Sequence, residues 1–226
     1  MYTALLFDLD DTLIDFASSE ESALNKIWHH FLAEHAAQEH CKQIFHTVNR
    51  ALWSLVAQGK KRPEEVKLER FIHLIDHLKI SLNASDLAHA YESWLAEQVI
   101  WFEGVQDSLK NLAKNYKMGI ITNGLTTVQE KKYQLGGMHQ WFDCFIISEK
   151  VGVSKPNKKI FQLAFDQLSI SPHTTLMIGD SLESDYQGAL NTGMDFCWIN
   201  PKKDSLPQGS AAPKYIVNSV AELCLD

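Results

Sequence analysis

Residues 4–13 read ALLFDLDDTL: four apolar residues, Ala4, Leu5, Leu6 and Phe7, run directly into Asp8, Asp10 and Asp11, with Thr12 behind them. A short unbroken apolar run is how a strand buried on both faces reads, because helices covering a parallel sheet leave neither face to water. The acids therefore stand where that strand ends. In open parallel sheets, ligands bind in the crevice beyond the carboxyl ends of the strands. Asp8 and Asp10 are two apart and leave the strand on the same side. Two carboxylates so placed repel unless a cation or a proton lies between them. The alternative is a polar loop that happens to be acidic.

Behind this stretch the pattern turns helical to about residue 99. Ser18 and Glu21 form an S-x-x-E pair that predicts a capped helix start, and Leu24, Ile27, Trp28, Phe31 and Leu32 follow at helical spacing. Ile44, Phe45, Val48, Leu52, Leu55 and Val56 continue the period in a second helix, closed by Gly59. Pro63 suits the first turn of a third, with Val66, Phe71, Ile72, Ile75 and Leu78 inward. Ser85 is expected to cap a fourth, carrying Leu87, Tyr91, Trp94 and Leu95. Consecutive amphipathic helices bury their faces against one another as a small bundle.

From Trp101 onward, strands and helices alternate. Apolar runs at 118–122, 144–148, 176–179, 196–199 and 215–217 read as strands, separated by helical faces such as Ile160, Phe161, Ala164, Phe165 and Leu168. This alternation implies βαβ units with right-handed crossovers and a parallel sheet. The expected fold is therefore α/β, a doubly wound parallel sheet. Residues 1–15 and 101–226 would form that core, with a helical domain, 16–100, inserted between the first and second strands.

The chain has 226 residues, of which 45% are hydrophobic and 22% charged, an ordinary soluble composition that excludes disorder. Its net charge of -7 argues against binding a nucleic-acid polymer, which requires clustered cations to displace counterions. The tight basic run Lys60-Lys61-Arg62 reads as a solvated turn. A single small phosphorylated metabolite remains compatible with an acidic protein. Cys41, Cys144, Cys197 and Cys224 are scattered without metal-binding spacing and read as reduced core thiols. No segment resembles a secretion signal or is long enough to span a bilayer, so no membrane association and a cytoplasmic location are expected.

Three further strand ends carry chemistry. Thr122-Asn123-Gly124 offers a hydroxyl and backbone amides ahead of a helix, an anion site or merely a turn. Lys155-Pro156 precedes another helix, and Gly179-Asp180-Ser181-Leu182-Glu183-Ser184-Asp185 places two more carboxylates at a strand terminus. One sheet rim would thus collect Asp8, Asp10, Thr122, Lys155, Asp180 and Asp185. Acids converging from separate strands suit a hard cation bound through oxygen, and Mg²⁺ keeps positions open for water and phosphate. The hydroxyl and the lysine would neutralise the phosphate's other side.

With these residues in order, the sequence resembles a haloacid dehalogenase (HAD) superfamily phosphatase. The family's motifs match FDLDDTL at 7–13, ITNG at 121–124, SKP at 154–156 and GDSLESD at 179–185. The helical insertion matches the family's C1-type cap on a Rossmann-like core. IDF at 14–16, NRALW at 49–53 and the stretch through MDFCWINP at 194–201 are similar to the pyrimidine 5'-nucleotidase group. The resemblance implies an aspartyl-phosphate mechanism, with Asp8 as nucleophile and Asp10 as general acid and then base. It implies Mg²⁺ bound by the Asp8 and Asp180 carboxylates and the Asp10 backbone carbonyl, with Asp185 behind them orienting water or Lys155. Thr122 and the backbone at Asn123 would hold phosphoryl oxygens, and Lys155 would balance charge.

The implied substrate is a nucleoside 5'-monophosphate of the pyrimidine or deoxypyrimidine type; a sugar phosphate or other small metabolite is the alternative. Asp10 argues against 2-haloacid dehalogenation, since halide leaves without a proton. A receiver-type signalling domain would need its acceptor aspartate on a later strand and carries no helical insertion. Specificity is expected in the cap, where Trp53 would stack on a base and Asn49, one helical turn away, would read its polar edge. Phe16 at the cap's entrance would act as a lid; packing alone is the other reading of Phe16 and Trp53.

Overall fold

Strand residues that alternate between two faces need cover on both, and the chain supplies it in two helical layers. The computed structural model describes residues 1–225. Its strands are β1 (Ala4–Phe7), β2 (Lys117–Thr122), β3 (Cys144–Ile147), β4 (Thr175–Gly179), β5 (Asp195–Ile199) and β6 (Tyr215–Val217). They form one sheet in the order β3-β2-β1-β4-β5-β6, every neighbouring pair parallel. β1 is buried along its whole length between β2 and β4. Leu5 and Phe7 join one core with Val105, Leu109 and Met138, while Leu6 joins the opposite one with Ile160, Phe161 and Phe165. The strand order reverses at β1 and β4, so the crevice at their carboxyl ends is the ligand position expected of such a sheet.

Four helices lie between β1 and the next sheet crossover: α1 (Phe16–Ile27), α2 (Gln38–Ala57), α3 (Pro63–Leu78) and α4 (Ala84–Ala96). They share a core built on Phe45, Phe71, Tyr91 and Leu95, which Leu125 and Val128 join from beside the sheet. The remaining helices are α5 (Val105–Leu112), α6 (Thr126–Leu135), α7 (Ser148–Val151), α8 (Lys158–Leu168) and α9 (Gln187–Thr192). The chain leaves and re-enters the sheet layer side by side, Asp15 N donating to Ile100 O at 2.7 Å and Phe102 N to Leu13 O at 3.3 Å. No helix among the described residues is long and apolar enough to cross a membrane.

Two helix starts differ from the sequence reading. Asp15, not Ser18, caps α1: its Oδ1 accepts from Ser18 N at 2.8 Å, and the Ser18 hydroxyl donates to its Oδ2. Asn83, not Ser85, caps α4, accepting from Ser85 N at 3.0 Å. In both, a side chain just upstream accepts the free amide first, and the helix begins earlier. The helical run through Phe31 also changes pitch, passing from α1 into a π-helical turn over Trp28–Leu32.

Candidate active site

Because β1 ends inside the sheet, the residue after it emerges in a place walled by its neighbours. Asp8 N donates to Ile178 O at 2.9 Å, extending the pairing with β4 by one residue, and the Asp8 side chain is almost wholly buried. Lys155 Nζ reaches Asp8 Oδ1 at 2.5 Å and Asp185 Oδ1 at 2.7 Å. Asp180 joins them: one carboxylate oxygen from each of Asp8, Asp180 and Asp185 lies within 4.8 Å of the others. The Thr12 hydroxyl sits 3.4 Å from Asp8 Oδ2 and 3.5 Å from Asp180 Oδ1. A Cβ on Gly179 would come within 2.2 Å of Asp185 Oδ2, so the close approach of that carboxylate requires glycine there.

Two buried acids, Asp8 and Asp185, and the half-buried Asp180 gathered near one ammonium leave an excess of negative charge, and the carboxyl groups shift accordingly. Burial, helped by Asp185 and Asp10, pushes the Asp8 carboxyl up to about 7 against the pull of Lys155. Burial and the Asp8 and Asp185 charges raise Asp180 well above the usual carboxylate range. Burial opposes the Lys155 charge, but Asp185 and Asp8 outweigh it and hold the ammonium protonated above its ordinary range. An all-oxygen donor set with uncompensated negative charge fits a hard divalent cation such as Mg²⁺.

Asp10 stands apart from this trio. Lys132 Nζ donates to its Oδ1 at 2.9 Å and Gln129 Nε2 to its Oδ2 at 2.6 Å. Gln129 Nε2 also donates to Thr122 Oγ1 at 3.0 Å, tying the end of β2 to Asp10. A Cβ on Gly124 would fall 2.0 Å from Gln129 Nε2, so this arrangement requires glycine in the turn. Lys132 is fully buried and lies 4.7 Å over the Phe16 ring. The sequence reading missed Lys132 and Gln129, because QEKK on a helix reads as a solvated face; their only signal is i, i+3 spacing just after ITNG.

Asn123 does not aim its amide into the crevice. Its Nδ2 donates to Lys155 O at 3.0 Å and its Oδ1 accepts from Lys155 N at 2.8 Å, pinning the loop after β2 to the loop before α8. Asp11 takes a left-handed turn, φ 58°, and accepts from Ala17 N at 3.1 Å, securing the entry to α1; burial raises its carboxyl to about 6. Phe16, Asn49 and Trp53 line one cavity of about 190 Å³ that also opens onto Asp8, Asp10, Thr122 and Asn123. The structure thus brings the expected core residues together in two groups, Asp8, Lys155, Asp180 and Asp185, and beside them Asp10 with Thr122; Phe16, Asn49 and Trp53 share the cavity with Asp8 and Asp10, while the Asn123 side chain turns to the Lys155 main chain.

A model of the haloacid dehalogenase-like hydrolase family matches residues 5–199. The pyrimidine 5'-nucleotidase YjjG of Escherichia coli is 33% identical over 220 residues, covering 97% of this chain and 95% of its own. The pyrimidine 5'-nucleotidase PynA of Streptococcus pneumoniae is 34% identical over 231 residues, covering 100% and 95%. The solved structure of the HAD-hydrolase YfnB of Bacillus subtilis, bound to magnesium, aligns with a TM-score of 0.85 and 31% identity over 96% of this chain and 95% of its own.

Proposed function

The chain belongs to the haloacid dehalogenase-like hydrolases, and from that premise we propose that it is a Mg²⁺-dependent nucleoside 5'-monophosphate phosphatase of the pyrimidine type. One observation carries the reading. Asp8 and Asp10 share a single cavity with Phe16, Asn49, Trp53 and Leu95 of the inserted helices, so a phosphate at the acids has its leaving group against aromatic and apolar walls. The two full-length nucleotidase relatives support the same substrate class. Residues 16–100 act as the cap and residues 1–15 and 101–226 as the catalytic core.

Asp8, Asp180 and the main-chain carbonyl of Asp10, with Asp185 beside them, would hold Mg²⁺, which would supply positive charge against the phosphate dianion. Asp8 attacks phosphorus, forming an aspartyl-phosphate as the ester oxygen departs. Asp10 gives that oxygen a proton, then takes one from the water that releases phosphate. Lys155, already on Asp8, balances charge on the phosphorylated carboxylate. Thr122 and the main chain at Asn123 hold the phosphoryl oxygens, and Trp53 offers its face to the base.

A panel of nucleoside monophosphates, sugar phosphates, phosphoglycolate and 2-haloacids, assayed with Mg²⁺, tests the reading. Pyrimidine monophosphates are expected to give the highest kcat/KM, with no halide released from 2-haloacids. A preference for sugar phosphates would remove the nucleotide part and leave the phosphatase part standing.

Metal binding has a readout independent of turnover. Saturating Mg²⁺ at roughly a hundred times its Kd should stabilise the fold by about 2.7 kcal/mol, seen as a rise in Tm that chelation reverses. Asp180→Asn should abolish that rise; an unchanged Mg²⁺ response in this variant would take Asp180 out of the ligand set.

A further inference from the structure

Arg70 on α3 is only 2% exposed, yet it lines the cavity that holds Asp8 and Asp10. Its guanidinium carbon lies 4.4 Å from the centre of the Tyr91 ring, 5.6 Å from Phe71 and 5.7 Å from Phe45. These three rings also contact one another, so the cation sits in an aromatic cage. Nη1 donates to Asn49 Oδ1 at 3.4 Å. Nε and Nη2 are buried with no hydrogen-bond partner, and among the described residues no carboxylate comes within ion-pair distance of this arginine. Glu20, the acid of the same network, is otherwise engaged: it accepts from Tyr91 Oη at 2.8 Å and Asn49 Nδ2 at 3.2 Å, and His46 Nδ1 lies 3.4 Å from its other oxygen.

Leaving buried donors without acceptors is costly, the more so on a charged group. The two open atoms are also neighbours on one edge of a planar fork, where Nε–H and an Nη2–H point the same way. Such an edge suits one carbonyl oxygen astride both hydrogens, or two adjacent acceptors in a plane. Arg70 shares its cavity with Asp8 and Asp10, on the helical side where a phosphate ester at those acids would carry its leaving group.

We propose that Arg70 is the residue that reads the leaving group, its Nε–Nη2 edge taking the ring carbonyl of a pyrimidine base. Asn49, bound to Glu20 on one side and Arg70 on the other, is then a positioning residue that holds the guanidinium. This proposal rests on the nucleotidase reading above. It explains a charge buried without a carboxylate partner. It also predicts a preference for bases that carry a ring carbonyl over adenine, which has none.

The test is kcat/KM for uridine 5'-monophosphate, adenosine 5'-monophosphate, ribose 5-phosphate and phosphoglycolate, measured on the wild type, Arg70→Lys and Arg70→Met with saturating Mg²⁺. Selectivity is taken as a ratio within each variant, which cancels any loss of folded protein. The uridine to ribose 5-phosphate ratio should fall between about tenfold and a hundredfold in both variants, the cost of a lost bidentate contact. Lysine should fare no better than methionine, since it keeps the charge without the fork.

A ratio unchanged in both variants, with the wild type still favouring uridine 5'-monophosphate, would overturn the role of Arg70 and leave the nucleotidase reading intact. Wild-type enzyme that handles ribose 5-phosphate as well as the nucleotide would overturn the nucleotidase reading, and the base as occupant with it. A wild-type preference for phosphoglycolate that collapses in both variants would overturn the base in favour of a carboxylate.

Discussion

Asp8→Asn is expected to lower kcat by at least about 10⁴-fold, in line with the loss of a nucleophile that acts as one unit with its partners. A carboxamide cannot form the acyl phosphate, and no other acid in the crevice is placed like Asp8, at the end of the central strand and 2.5 Å from Lys155. The same substitution should leave the fold intact. Burial and neighbouring acids push the Asp8 carboxyl up to about 7, so its charged form is disfavoured in the folded protein near neutral pH. A neutral amide relieves that repulsion, and Tm in Mg²⁺-free buffer should be at or above the wild-type value. Acid quenching during turnover should trap phosphoenzyme in the wild type and none in the variant. Wild-type-like turnover by Asp8→Asn would remove this residue from the role of nucleophile.

Lys132→Met should cost roughly 10²-fold in kcat on nucleotides, the scale of a general acid–base contribution. Lys132 is fully buried, and its ammonium, 2.9 Å from Asp10, is one of two donors that fix that carboxylate. Methionine keeps the length and apolar stem but frees Asp10 to turn. The discriminating readout is leaving-group dependence. Nitrophenolate departs without needing a proton, so 4-nitrophenyl phosphate should lose far less activity than a nucleotide, whose alkoxide must be protonated. Equal losses on both substrates would mean that Lys132 supports the shape of the crevice and not the proton transfers of Asp10.

The parts of this protein that were legible in sequence share a physical cause. Short, wholly apolar runs ending in Asp8, Thr122 and Gly179 can bury both faces only in a parallel sheet, and the polar residues that follow must then appear at one rim. The hidden parts are cations carried on helices. Lys132 and Arg70 have the residue types of a solvated face, and nothing in their spacing tells a buried lysine or arginine from an exposed one. Their burial depends on partners far away in the chain, Asp10 for one and the Tyr91, Phe71 and Phe45 rings for the other. Helix starts failed for a local reason: Asp15 and Asn83 precede the serines that looked like caps and take the amide hydrogens first.

The paired bonds between the Asn123 side chain and the Lys155 main chain carry a mechanical consequence. Two loops more than thirty residues apart are bolted together through one short amide. In the proposed mechanism, the grip on phosphate and the charge-balancing ammonium would therefore be held as a single jaw, with the span between them set by the length of an asparagine side chain. Glutamine at that position would keep the chemistry and lengthen the bolt by one carbon, moving the two halves of the jaw out of gauge.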